Sequence, residues 1–369
     1  MLVHEKFEIL EEFMRDAFVA AGVPAADAAV SANVLIEADK RGIESHGVGR
    51  LKPIYIDRIK AGIQNPVTKI DTLREGPTTA LLDGNDGMGQ VIAKRAMEAA
   101  IDKAALYGMG MVAVKNSTHY GIAGYYAMMA AKRGMIGITG TNARPSIAPT
   151  FGVDSMLGTN PLTFAMPSDE PFDFVLDCAT SVSQRGKIEV YDRAGKDIPA
   201  GWVIDQNGND RTQIAGLLGE LDKGNLALTP LGGIGETGAG YKGYGYATVV
   251  EILSSALQSG LFLKALNGLD ENGKRGPYHL GHFFMAVDTA AFVDPNEFRK
   301  NVGGILRELR AAKKMPGQER IYTAGEKEYY YYMEHKDAGA PLGEKLQETI
   351  RELVEEYGMN EWRGRFGWL

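Results

Sequence analysis

The chain has 369 residues with a formal charge of −7, which argues against a nucleic-acid or anionic-membrane surface. Its 44% apolar and 24% charged composition is that of an ordinary globular protein, and its length exceeds what one core usually fills, so two domains are expected. A single cysteine, Cys178, excludes an internal disulfide framework and a multi-cysteine zinc site and suits a reducing, cytoplasmic setting.

The acidic, amphipathic start "MLVHEKFEILEEFMRD" is unlike a signal peptide. No apolar run approaches the roughly 20 residues of a membrane helix. Phe7, Leu10, Met14 and Phe18 fall on one helical face. A second helix runs through "SANVLIEADKRG" and stops at Gly42. From about residue 77 the pattern changes to short apolar runs, "TALLDG", "GMVAVKNS", "GMIGITGTN", "PLTFAMPS" and "FDFVLDCAT", which read as buried strands. Two helical stretches lie among them, "VIAKRAMEAAIDKAALYG" and "GYYAMMAAKRG". "GYGYATVVEILSSAL" returns to a helical period, "GHFFMAVDT" is one further strand, and a last helix is expected from Pro341 to Tyr357. The pattern predicts an α/β (α+β) protein, with a sheet domain over 77–245 inserted between helical segments 1–76 and 246–369 that pack together.

Three short stretches can carry chemistry. "SHGVGR" joins His46, which titrates near neutrality, to Arg50, a planar fork matched to a carboxylate, with Gly47 and Gly49 leaving room for a ligand. That set suits a small hydroxy or keto acid; a helix C-cap with a surface histidine is the plain alternative. "NSTHYG" places His119 between a buried strand and a helix, where α/β folds hold ligands, or where it simply caps that helix. In "VLDCATS" the carboxylate of Asp177 needs a partner, either the imidazole of His46 or the following turn.

"GIGETG" (233–238) matches G-x-G-x-x-G but lacks the preceding buried strand and the acidic residue some twenty positions on, so a Rossmann domain is rejected. "GAGYKGYG" can still offer backbone N–H groups and Lys242 to a phosphate. "HLGH" (279–282) lacks the further ligands of a metal site. A Ser-His-Asp hydrolase from Ser45, His46 and Asp177 is a remote alternative: adjacent side chains diverge in regular structure, and no G-x-S-x-G elbow is present. A non-catalytic binding module is the remaining one.

Seven segments in order, "ADKRGIESHGVGRL", "NSTHYGIAGYYAMMAAKRG", "TNARPSIAP", "LGTNPLTFAMP", "VLDCATS", "IPAGWVIDQNG" and "GYKGYGYATVVEILSSAL", together resemble the type-2 malate/L-lactate dehydrogenase family. The resemblance implies a homodimeric oxidoreductase using NAD or NADP, with NAD preferred. Its cofactor domain would be a largely antiparallel sheet of non-Rossmann type. The implied substrate is a small 2-hydroxy or 2-keto acid, malate/oxaloacetate above lactate, sulfolactate, ureidoglycolate, diketogulonate or a cyclic imino acid.

By the same resemblance His46 is the proton donor and acceptor, Ser45 and Asp177 its relay partners, and Arg50 the substrate-carboxylate ligand. His119 is the competing acid–base candidate. It adjoins a cofactor-contacting run, Tyr120, Gly121, Ile122, Ala123 and Gly124. Asp177, Cys178 and Ala179 form a second cofactor segment, Tyr241 and Lys242 a third, and Gly325 with Glu326 a fourth. Ala324 stands there where the family usually has proline.

Overall fold

The computed structural model describes residues 2–369. Strand β1 (Val3–Glu5) leads into helices α1 (Phe7–Ala20) and α2 (Ala25–Lys40). Phe7, Leu10, Met14 and Phe18 are all buried, as their spacing predicts. Gly42 turns the chain out of α2 with φ of +70°, a conformation that side chains disfavour. A 3-10 turn (Val48–Arg50), a π-helical stretch (Leu51–Ile56) and α3 (Asp57–Lys60) then run on without a break.

The middle of the chain supplies β2 (Asp71–Glu75), β3 (Thr79–Asp83), α4 (Gly89–Tyr107), β4 (Met109–Ser117), α5 (Gly124–Ala131), β5 (Met135–Thr141), β6 (Leu162–Met166) and β7 (Phe174–Cys178). A smaller unit follows: α6 (Arg185–Arg193), β8 (Val203–Asp205), α7 (Leu217–Asp222) and β9 (Leu226–Leu228), around Ile188, Trp202 and Leu217. The rest is α8 (Gly240–Ser254), β10 (Leu280–Asp288), α9 (Pro295–Ala311), α10 (Glu326–His335), β11 (Ala340–Leu342), α11 (Glu344–Glu356) and α12 (Trp362–Arg365).

The main sheet has seven strands in the order β2-β3-β4-β10-β5-β6-β7. Only the β3–β4 pairing is parallel, so the expected largely antiparallel, non-Rossmann sheet is found. The segment 77–245 does not contain it, however. Strand β2 precedes that segment and β10 follows it, the latter lying at the centre between β4 and β5. The reason is apolar coverage. β10 is buried along its first five residues, Leu280–Phe284, and only an interior slot with α4 and α5 on one face and α8 on the other removes both of its sides from water.

The terminal helical segments share one core. Phe13 meets Trp362 and Phe366 edge-on, each with ring centroids 5.3 Å apart. The last long helix starts at Glu344 rather than Pro341. Pro341 lies in β11, paired with β1 opposite His4, where a missing N–H is tolerated in a two-stranded edge.

Helix α8 is seated by close backbone approach. A Cβ at Gly243 would come within 2.2 Å of the Leu231 carbonyl, whereas one at Gly245 would meet nothing within 4 Å. Gly243→Ala should therefore lower stability by about 1–3 kcal/mol through overpacking. Gly245→Ala should raise it by up to about 1 kcal/mol through helix propensity. Urea midpoints at constant slope check both; equal effects at the two positions would contradict this seating.

Candidate active site

The site begins where α2 ends. Asp39 is buried and its carboxylate accepts the Val48 N–H at 2.8 Å. Gly47 packs so closely on it that a Cβ there would sit 1.8 Å from Asp39 Oδ1. Burial, with Glu44 adding to it, pushes the Asp39 carboxyl up to about 7. This anchor fixes the turn that presents Ser45, His46 and Arg50.

Ser45 Oγ lies 2.9 Å from His46 Nδ1. The expectation that adjacent residues would diverge fails here, because residues 44–46 form a turn rather than regular structure. Arg50 Nε donates to the Ser45 carbonyl, and its guanidinium lies against Gly186, at the start of α6, where a Cβ would come within 3.0 Å of it.

His119 arrives from the sheet. Thr118 donates its hydroxyl to the Gly87 carbonyl and accepts the Gly89 N–H, which pins the end of β4 to the start of α4. The His119 ring then stacks on that of His46, with centroids 5.6 Å apart and planes inclined by 22°. Its Nδ1 is 2.7 Å from the Tyr55 hydroxyl and accepts the Gly121 N–H at 3.3 Å. An amide N–H can only donate, so the neutral ring carries its proton on Nε2.

Both imidazoles are half-buried and favour neutrality. Burial and then the charge of Arg50 bring His46 down to about 4. Burial first, then His46, Arg58 and Arg50, hold His119 well below its ordinary value.

Asp177 does not pair with His46. Its carboxylate accepts the Gly124 N–H at 2.6 Å and the Thr163 hydroxyl at 3.0 Å, capping the start of α5. Burial pushes it upward despite those bonds. Without an acid on His46, the triad needed for a Ser-His-Asp hydrolase is missing.

Beside this cap opens a cavity of about 350 Å³, lined on its apolar side by Ile122, Met128, Phe172, Val175 and Leu176, with Lys132 and the Glu37-paired Arg41 as cations and Asp173 and Glu328 as acids. Gly124, Asp177 and Gly325 also line it. Gly325 adopts φ of +89° and fits against the Asp173 carbonyl, where a Cβ would be 2.7 Å away. The Ala324 carbonyl accepts the Val175 N–H at 3.3 Å, so the loop docks on β7 without the family's proline.

The other predicted cofactor residues divide. Tyr120 is interior, stacked at 4.5 Å on His282, and Ala123 is buried at the start of α5. Glu326 is fully buried and spent on its own loop, accepting from Thr323 N–H at 2.9 Å and pairing with Arg320. Cys178 ends β7 and Ala179 follows it, both outside the cavity, and burial pushes the Cys178 thiol up. Tyr241 and Lys242 are exposed at the start of α8, also outside the cavity. The H-x-x-H histidines separate: His279 pairs with Asp86 at 2.9 Å, while His282 holds Thr141 at 2.7 Å in the core.

The residues present fit a nicotinamide dinucleotide. The apolar slot suits a planar base and Lys132 can meet a phosphate, while His46, Arg50 and His119 lie outside it; its volume is at the lower end for ligand pockets, enough for part of such a cofactor. Sequence reasoning missed Asp39, Tyr55 and Thr163. Tyr55 carried a faint signal, since it falls inside an apolar stretch where a phenol must find a partner. The bonds of Asp39 and Thr163 depend on chain crossings that no local pattern reports.

Comparison with known proteins agrees with this geometry. A family model described as malate/L-lactate dehydrogenase matches residues 6–351. A malate dehydrogenase of Pyrococcus horikoshii is 45% identical over 92% of this chain and 91% of its own. An L-sulfolactate dehydrogenase of Methanocaldococcus jannaschii is 37% identical over 92% and 93%. The crystal structure of malate dehydrogenase from Entamoeba histolytica superposes with a TM-score of 0.94 at 44% identity, covering 97% of this chain and 99% of that one. The chain belongs to the malate/L-lactate dehydrogenase family and is a nicotinamide-dependent 2-hydroxy-acid dehydrogenase.

Proposed function

We propose that this enzyme interconverts malate and oxaloacetate, with His46 as acid–base and Arg50 as the ligand of the carboxylate next to the reacting carbon. The observation that carries the reading is the turn held by Asp39, which sets a neutral imidazole beside an arginine that has no acidic partner among the described residues. The similarity to malate dehydrogenases supports the substrate.

In oxidation His46 takes the hydroxyl proton, and in reduction it returns that proton to the oxygen. Ser45 holds the ring through Nδ1. Arg50 fixes the carboxylate and thereby the direction in which C2 faces. His119, with its proton on Nε2, donates a hydrogen bond to the substrate oxygen, and Tyr55 keeps it in that tautomer. The nicotinamide, when bound, exchanges the hydride with C2.

Ile122, Gly124, Asp177 and Gly325 would hold part of the cofactor in their cavity. Tyr120, Gly121, Ala123 and Glu326 would support it from behind, and Cys178, Ala179, Tyr241 and Lys242 would extend the contact. NAD is preferred to NADP in this reading, the enzyme works as a homodimer, and it resides in the cytoplasm. No helix among the described residues is long and apolar enough to cross a membrane.

Following NADH absorbance with malate, oxaloacetate, lactate and pyruvate tests the reading; turnover with none of them would refute it. His46→Ala should cut turnover by about 10²–10⁴ with NADH binding intact. If His119→Ala lost turnover while His46→Ala kept it, the two roles would be reversed. The pH profile is a separate check. With His46 neutral down to about 4, kcat/KM for oxidation should stay level between pH 7 and 5. An unperturbed histidine would lose about 25-fold over that range.

A further inference from the structure

Beyond Arg50, two more arginines stand at the site without acidic partners. Arg58 follows Tyr55 by three residues, one turn along the same rod, so it projects from the face that carries the Tyr55 bond to His119. Its guanidinium carbon lies 5.0 Å from the centroid of the buried Tyr278 ring. The guanidinium carbon of Arg144 lies 5.1 Å from the same centroid, although this residue comes from the loop after β5.

One phenol thus gathers two cations, and none of the ion pairs among the described residues includes either of them. The nearby carboxylates are engaged elsewhere. Asp57 pairs with Lys52 at 3.3 Å, and Asp222, which feels the charge of Arg144, pairs with Arg185. A tyrosine face attracts one guanidinium readily, but two like charges converging on it repel each other until an anion joins them. Arg58 stands close enough to His119, Arg50 and Arg144 for their charges to interact, which sets the pair beside the reacting groups.

We infer that Arg58 and Arg144, backed by Tyr278, form a subsite for a second carboxylate. The site then takes a dicarboxylic 2-hydroxy acid, with one end on Arg50 and the other on this pair. The inference rests on the proposed malate/oxaloacetate reading and gives it a specificity determinant. A planar fork on each arm accepts a carboxylate bidentately, and a monocarboxylic acid leaves both forks unsatisfied.

The test uses the full chain with saturating NADH and two probes that cannot react. Succinate carries two carboxylates and butyrate one. Calorimetry should find succinate binding at least about 10-fold tighter than butyrate, and Arg144→Gln should abolish that preference. Arg58→Gln should do the same. Arg144 is exposed, so its variant keeps the test usable should the Arg58 variant fail to fold.

In turnover, the ratio of kcat/KM for malate to that for lactate should fall about 10- to 100-fold in either variant. Equal binding of the two probes by the unmodified protein would overturn the subsite. So would an unchanged preference in both variants, or a parallel fall with malate and lactate. A succinate preference that depends on Arg144, in a protein that turns over neither malate nor oxaloacetate, would refute the proposed malate reading and leave the subsite standing.

Discussion

One buried carboxylate sets the geometry of this enzyme. Asp39 sits at the last turn of α2, accepts the Val48 N–H at 2.8 Å and presses against Gly47 with no room for a side chain. An unpaired buried acid is costly, and its burial pushes its pKa to about 7, so the bond is kept at a real energetic expense. In return the 45–50 turn has one conformation, and the imidazole, hydroxyl and guanidinium it carries are held before substrate arrives.

The electrostatics of the site follow from that placement. His46 and His119 are held neutral by burial and by surrounding arginines, and His282 behind them is brought down to about 3 by burial. Burial is the larger cause at both rings, and in the proposed mechanism the arginine charge that adds to it also draws in an acidic substrate. In the proposed mechanism, a carboxylate that neutralises Arg50 removes the second of the two causes that lower proton affinity at His46, burial being the first, so that one guanidinium would couple substrate binding to proton readiness.

Much of this was legible in the chain and some was not. Helical spacing identified α1, whose apolar face runs over several turns, and unbroken runs without strand-favouring punctuation identified α2, α4, α5 and α8. The clustering of His46, His119 and Arg50 could be suspected because glycine turns mark where a chain opens to a ligand. Strands β1, β8, β9 and β11 escaped notice because three residues carry no period. The partner of Asp177 was misjudged because an aspartate at a strand end has no local signal for choosing an imidazole over a helix start. Here the eight-residue α5, with its free N–H groups, wins. The bond between Ser45 and His46 was discounted by a rule for regular elements that a turn does not obey.

The position of β10 has a consequence for how the protein comes into being. This strand fills the gap between β4 and β5, although its residues 280–288 leave the ribosome some 140 positions after β5. Until then both neighbours expose an unpaired edge, the state most prone to wrong strand pairing. The sheet is therefore sealed late, by a segment from the far end of the message. A ribosome stalled before residue 280 would release a chain whose two half-sheets lack the strand that pairs with both.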